Sequence, residues 1–395
     1  MRTVEEHQRV VAGLISARPA VTVPLADALG LALADDVVAP LSLPGFDNSA
    51  MDGYAVLAVD VAAASADNPV KLPVAEDIPA GRTDLLTLTP GTAHRIMTGA
   101  MLPAGATAVV PVESTDAATD IVAIFSSSSE GRHIRRAGED VTAGMTVLSA
   151  GEVLSPAALG LAAALGFAEL KVIPRQRVLV LSTGTELVTP GTPLQPGQIY
   201  ESNAVMLAAA LREAGADVTT APATSDDVAL FRETLAGHAK DVDLIVTTGG
   251  VSAGAYEVVK DALTGDVEFV KVAMQPGMPQ GAGTVNGTTI ITLPGNPVSA
   301  LVSFEVFIRP PLRGAMGLTS ERPRRSATLT EKLTSPAGKR QFRRGVVGSD
   351  DEVSSYGPPA SHHLRWLATA NCLLDIGEDV VELAAGSPVP IWDLS

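Results

Sequence analysis

DLIVTTGGVSAGAYEVVKDAL, residues 243–263, is the stretch from which the fold is read. Leu244-Ile245-Val246 is a β-branched apolar run that suits a buried parallel strand. Thr247-Thr248-Gly249-Gly250 follows, then Ser252 and Gly254. Val258, Val259, Ala262 and Leu263 then recur at helical spacing. The pattern is strand, glycine turn, helix. Free amides at the positive end of a helix dipole attract anions, and the glycine pair admits a ligand close to the backbone. A tight βα turn with no ligand has the same pattern.

Around this stretch, strands and helices alternate from Pro174 onward. Apolar runs at 177–181, 217–221, 267–272 and 288–293 read as strands, and 204–214 and 228–239 as helices, the second capped by Asp226 or Asp227. LPGNPVSALVSFEVFIRPPL (293–312) reads as a strand, a turn and a hydrophobic helix ended by its proline pair. The alternation predicts a doubly wound, mostly parallel sheet. The turns 182–187, 248–254 and 294–297 all leave strand ends, so all can line one crevice.

On the N-terminal side, residues 3–18 read as an amphipathic helix capped by Thr3 and ended by Pro19. PGFDNSAMDGYAV (44–56) is a loop in which Asp47 and Asp52 fit either an Asx turn or a magnesium site. Short β-like runs at 70–74, 92–97, 108–112 and 121–125 suggest a small β domain. IRRAGEDV (134–141) reads as a surface ion-pair cluster. Residues 155–167 form a helix with Ser155 at its cap and Pro156 at its first position. Beyond Gly317 the alternation stops, and residues 324–395 read as a small β domain carrying GKRQFRRG (338–345) and SHHLRWLATAN (361–371). Adjacent His362 and His363 should point apart, a poor metal pair, and read as surface histidines.

Composition narrows the function. With 395 residues the chain has room for two to four domains, and 46% apolar content excludes a disordered protein. A net charge of −16 and 4% aromatics disfavour nucleic acid as a partner. Ten of the 28 Lys and Arg lie between Arg309 and Arg344, opposed locally only by Glu321 and Glu331; that segment is either a solvated surface or faces an anion. The single Cys372 excludes internal disulfides and a cysteine-built zinc site. The N-terminus does not read as a signal peptide, and the longest weakly polar run, 157–167, is too short to span a bilayer. A soluble, cytoplasmic protein is expected.

PGFDNSAMDGYAV, RIMTGAMLPAGATAVVPVE, IRRAGEDV, STGTEL, GQIYESN, TTGGVSAG and LPGNPVSALVSF stand in the order seen in molybdopterin molybdenumtransferases, and the chain resembles that MoeA and gephyrin E-domain family over nearly its whole length. The resemblance implies insertion of molybdate-derived molybdenum into adenylylated molybdopterin, with Mg²⁺-dependent release of AMP. It implies a homodimer, with possible contact to the molybdopterin adenylyltransferase and to cofactor-accepting enzymes. It also implies a MogA-like α/β domain at 174–316, an inserted small β domain at 46–140, an elongated helical and linker domain at 1–45 and 141–173, and a barrel-like β domain at 317–395.

Residues match position by position. Asp52, Thr98, Asp140, Glu186 and Glu257 match catalytic positions, and Asp52, Glu186, Glu201 and Glu257 would hold the metal. Ser182, Gly184, Glu201, Gly249, Gly250, Ser252, Gly254, Pro294, Gly295, Asn296 and Pro297 match the pterin-binding turns. Arg135, Gln275, Met278, Arg344 and Ser361 match the molybdate region. There the chain departs from its relatives: a KPGKP segment is replaced by QPGMP, with Gln275 and Met278 for the lysines. Either Arg340, Arg343 or Arg344 supplies the charge, or the chain is a non-catalytic or tungstate-selective paralogue that binds molybdopterin as a scaffold. The retained acidic positions favour the first reading.

Overall fold

The computed structural model describes residues 1–222, 227–250 and 258–394. Asp226, Ser252, Gly254 and Glu257 therefore lie outside the described residues. Internal contacts divide the chain into two units, one of residues 1–22, 30–34 and 171–395, the other of residues 23–29 and 35–170.

Helix α1 (Val4–Leu14) opens the chain and belongs to the first unit. Thr3 Oγ1 accepts from the Glu6 amide and the Glu6 carboxylate accepts from the Thr3 amide, so two orphan donors of the first turn are satisfied. Val4 and Val11 join the same core as Val178, Val246 and Phe307. The expected grouping of residues 1–45 with 141–173 is thus divided, because the apolar face of α1 is buried in the α/β unit.

The second unit is built on a five-stranded sheet. Its strands are β1 (Gly53–Val56), β2 (Val70–Ile78), β3 (Ala93–Ile96), β4 (Ala108–Pro111) and β5 (Ile121–Ile124), in the order β4-β1-β3-β2-β5. Only β2 and β3 run parallel. Tyr54, Val56, Leu72, Val110 and Ile124 fill one face of it. Helix α2 (Pro156–Ala164) carries Pro156 at its start, and Ser155 Oγ accepts from the Ala158 amide at 3.2 Å.

The first unit holds the predicted α/β sheet. Its strands are β6 (Arg177–Ser182), β7 (Asp217–Thr220), β8 (Leu244–Thr248), β9 (Val267–Lys271), β10 (Pro279–Val285) and β11 (Thr288–Leu293). The order is β7-β6-β8-β11-β10-β9; β7, β6, β8 and β11 are parallel, and β10 and β9 complete the sheet antiparallel. Helices α3 (Asn203–Glu213), α4 (Val228–His238) and α5 (Val258–Leu263) cover it. Asp227 caps α4, its Oδ1 accepting from the Ala229 and Leu230 amides.

Two features depart from the sequence reading. Strand β10 lies in a stretch whose prolines and glycines gave no strand signal. Gly283 is required there, since an added Cβ would sit 2.1 Å from the Asp266 carbonyl oxygen. The helix after Pro297 does not end at its proline pair. It runs as α6 (Pro297–Ser303), a π-helical turn (Phe304–Ile308) and α7 (Arg309–Ala315). The wide turn restarts the helix, so Pro310 and Pro311 fall in the first turn of α7, where their missing amides cost little.

The C-terminal part is a closed five-stranded barrel: β12 (Arg324–Leu329), β13 (Arg340–Val347), β14 (Glu352–Ser355), β15 (Cys372–Ile376) and β16 (Pro388–Asp393), in the cyclic order β13-β14-β12-β16-β15-β13. Closure leaves no bare edge. The short strand Met274–Gln275 pairs with Arg340–Gln341 of β13, joining the α/β sheet's connection to the barrel.

Candidate functional site

The parallel strands β6, β8 and β11 end together, and the loops leaving them open into a cleft of about 1100 Å³. Three sequence motifs meet at its floor. The Asn203 side chain donates to Thr248 Oγ1 at 3.0 Å and to the Gly295 carbonyl at 2.7 Å, and Thr248 Oγ1 donates to the Pro294 carbonyl at 3.2 Å. The GQIYESN, TTGG and PGNP segments are thereby tied to one another. Gly249, with φ at +96°, donates its amide to the Leu293 carbonyl; an added Cβ would meet the Thr183 carbonyl oxygen at 2.8 Å. Glycine is what lets the turn run this close to strand β6.

The acidic wall is built by pairing Leu187–Val188 with Ile199–Tyr200. Backbone bonds from Ile199 to Glu186 and from Glu201 to Val188, both 2.9 Å, bring the two glutamates into the same wall. Glu201 Oε1 accepts from the Ala204 amide at 2.8 Å, while Oε2 is buried without a partner. Ser182 Oγ and Asn203 Oδ1 are likewise buried and unpartnered. Unmet polar atoms cost free energy unless a ligand, ion or water answers them, so these three mark the floor as a binding surface.

The cleft is also lined by QPGMP and by residues 359–362 and Leu364. Gln275 and Met278 both line the cleft, and Gln275 Oε1 accepts from Gln341 Nε2 at 3.1 Å. The Ser361 carbonyl accepts from the Val298 amide at 3.0 Å, docking this segment on the first turn of α6. Buried Arg344 donates to the His363 carbonyl at 2.8 Å and to the Pro358 carbonyl.

The arginines expected to replace the missing lysines are occupied elsewhere. Arg340 pairs with Asp375 and Glu5, Arg343 donates to Ser355 Oγ at 2.6 Å, and Arg344 holds two carbonyls. None is among the cleft-lining residues. Several other cations of the basic segment are answered by acids distant in sequence, Arg322 by Glu305 and Glu213, Arg325 by Asp351 and Lys332 by Glu382, while Arg324 pairs locally with Glu321. His362 and His363 do not diverge; their rings meet edge-on at 4.4 Å, and His362 lines the cleft.

The second unit gathers Asp52, Thr98, Arg135 and Asp140 in a separate cluster of loops. Asp52 Oδ1 accepts from the Thr98 amide at 2.6 Å and from its hydroxyl at 2.7 Å; these bonds hold its carboxyl below the usual carboxylate range. Ser49 bridges the loops, with Gly99 donating to its carbonyl and its own amide donating to Ala100. Ile134–Arg135 forms a short ladder with Asn48–Ser49, and the Asp140 amide donates to the Leu43 carbonyl. The ion pair of IRRAGEDV is not internal: Arg136 pairs with Asp47 at 2.6 Å, and Glu139 accepts from the Arg136 amide. Asp47 also accepts from the Ala137 amide. With both oxygens taken, Asp47 is a poor metal ligand, whereas Asp52 keeps Oδ2 for another partner.

Among the described residues no three His, Cys, Asp or Glu side chains gather to hold a metal. Magnesium is commonly bound by one or two carboxylates, with water and substrate phosphate completing its shell. Glu186 and Glu201, with the orphaned Oε2, fit that mode.

Comparison with known proteins agrees over the whole chain. The family model described as the MoeA N-terminal region, domains I and II, matches residues 2–166, the probable molybdopterin-binding domain matches 179–314, and the MoeA C-terminal region, domain IV, matches 326–394. Molybdopterin molybdenumtransferase 2 of Mycobacterium tuberculosis is 68% identical over 405 residues, covering 100% of both chains. Molybdopterin molybdenumtransferase 1 of the same organism is 38% identical, covering 99% of this chain and 98% of its own. The crystal structure of the Pyrococcus horikosii molybdopterin biosynthesis MoeA protein superposes with a TM-score of 0.84 at 29% identity, over 100% of this chain and 99% of that one. The chain belongs to the MoeA family of molybdopterin molybdenumtransferases.

The sequence did not mark Thr248 or Asn203 as site residues, and His362 read only as a surface histidine. Asn203 closes the quoted GQIYESN, where a polar side chain at a helix start is a usable signal. Nothing local distinguished His362, whose position depends on Arg344 and Val298.

Proposed function

We propose that this chain transfers molybdate-derived molybdenum to adenylylated molybdopterin and releases AMP. The observation that carries the reading is the floor of the cleft, where Ser182 Oγ, Asn203 Oδ1 and Glu201 Oε2 are buried and unanswered beside the glycine turn at Gly249 and Gly250. Amides and hydroxyls suit a pyrophosphate, and carboxylates suit the hard divalent ion that accompanies it. Mg²⁺, when bound, would be held by Glu186 and Glu201 and would supply Lewis acidity to the scissile phosphoryl group. Asn203 fixes the floor by tying three loops, Thr98 orients the Asp52 carboxylate, and the Pro294–Pro297 turn forms the rigid rim. Arg135 and Asp140 belong to the same proposed machinery. Homodimerisation, a cytoplasmic setting and contact with the adenylyltransferase and cofactor-accepting enzymes complete the reading.

The test is AMP release from adenylylated molybdopterin, with Mg²⁺, with and without molybdate. Molybdate-dependent release is the expected result. Tight pterin binding without release would instead favour the scaffold or tungstate-selective paralogue, a reading that rests on a cleft whose described lining holds no lysine or arginine.

A further inference from the structure

The second unit holds a cavity of its own, about 330 Å³, beside strand β4 at the edge of the five-stranded sheet. Four consecutive serines at 126–129 line it, with Ser114, Arg132 and His133. Its described lining holds no aspartate or glutamate, in a chain of net charge −16. Glu113 and Glu130 adjoin it in sequence but are not part of the lining. Among the described residues Arg132 makes no ion pair; its Nε donates to His133 Nε2 at 3.3 Å. That bond puts the proton of a neutral imidazole on Nδ1, so both side chains keep N–H groups to offer.

Backbone bonds fix the turn that carries these groups. The Gly131 amide donates to the Thr107 carbonyl at 2.8 Å, and the Arg132 amide to the Ser129 carbonyl at 3.1 Å. The Arg132 carbonyl accepts from the Val109 amide at 3.0 Å, which ties the turn to β4. His133 sits at φ +57°, a left-handed conformation that histidine adopts more readily than most side chains, and its carbonyl accepts from the Ala50 amide at 2.9 Å. Ser128 is buried, with its hydroxyl 3.4 Å from the Val109 carbonyl. The turn is therefore set before any ligand arrives, which lowers the ordering cost of binding.

We propose that this cavity binds a phosphoryl group, with Arg132 supplying the charge and the serine hydroxyls the further donors. A guanidinium without a carboxylate partner repels cations and is answered by an anion. A planar carboxylate is satisfied by the guanidinium fork alone, whereas a phosphoryl group presents three or four oxygens and uses the surrounding hydroxyls as well. The cavity is larger than a bare phosphate, so free phosphate and the phosphoryl end of a small phosphomonoester share the same chemistry. It has no lining residue in common with the cleft of the first unit, and the proposal does not depend on the transferase reading.

The experiment titrates the full chain with inorganic phosphate and, separately, with glycerol 3-phosphate by calorimetry, holding ionic strength constant with chloride. Saturable binding is expected, and the tighter of the two probes identifies the source. Arg132→Gln should weaken that binding about tenfold, the effect of one charge-assisted hydrogen bond. Ser127→Ala combined with Ser129→Ala should weaken it less, and Arg132→Lys should restore part of it. Thermal melts of the free proteins should coincide, because Arg132, Ser127 and Ser129 are exposed and the turn is held by backbone. Phosphate binding that is unchanged in Arg132→Gln but lost in Asn203→Ala would place the anion in the other cleft and overturn the proposal, as would binding of neither probe by the wild type. Molybdate-dependent AMP release should stay within twofold in Arg132→Gln. Its absence in the wild type would count against the transferase reading alone, since calorimetry still compares the variants.

Discussion

Asp52 shows how one side chain is set for its task. Both of its Thr98 bonds fall on Oδ1, which leaves Oδ2 available. Replacement by alanine should lower molybdate-dependent AMP release about a hundredfold, the low end for a positioned acid–base group. Its melting temperature should barely move, because the residue is exposed; equal losses of activity and fold would reject the assignment. His7 is the opposite case. Burial first, and Arg2 second, push its pKa down to about 4. The unfolded chain binds a proton near pH 6.5 and the folded chain does not, so stability is lost as pH falls from about 6.5 toward 4. At ~1.36 kcal/mol per unit the loss approaches about 3 kcal/mol. Thermal melts of wild type and His7→Gln across that window should converge at low pH. Cys372 is fully buried, and burial, with Asp393 second, pushes its thiol up to about 12. It should resist alkylation at pH 8 in the native protein and react only in denaturant, as mass spectrometry would record.

At the scale of elements, the π-helical turn carries the costliest charge. Glu305 is 4% exposed and faces Arg322 at 2.9 Å and Arg309 at 3.7 Å. Glu305→Ala should destabilise by about 3–5 kcal/mol, since it strands buried guanidinium groups; a loss under 1 kcal/mol in urea titration would mean the pair is solvated. Elements with strong local signals were legible from sequence: the capped α1 and α2, the parallel strands β6, β8 and β11, and the glycine pair after β8. Strand β10 was not, because its glycines answer a contact across the sheet, and Gly283→Ala should cost a few kcal/mol by overpacking. The prolines of α7 misled because a π turn is not written in periodicity. The candidate site divided the same way. Glu186, Glu201 and the turns follow strand ends and line the cleft, a placement that strand periodicity makes legible, whereas the occupation of Arg340, Arg343 and Arg344 by other partners has no local signature.

For the whole molecule, the decisive fact is that the first unit is assembled from both ends of the chain. Gln8 donates to the Val306 carbonyl at 3.2 Å and His7 packs edge-on to Phe307 at 4.7 Å. A fragment of residues 174–316 lacks α1 and would expose Val306 and Phe307, so it should show no cooperative melt by circular dichroism, whereas the full chain should. Cooperative melting of the fragment would show that α1 is dispensable. The same connectivity has a consequence during synthesis. Helix α1 leaves the ribosome well before its partner, which follows about 300 residues later, roughly 15–60 s at usual elongation rates. Through that interval the nascent chain carries the unmatched apolar face of α1, while residues 35–170, which are contiguous, can already fold behind it. Demand on chaperones should therefore concentrate on α1, and end only when residues 304–315 emerge.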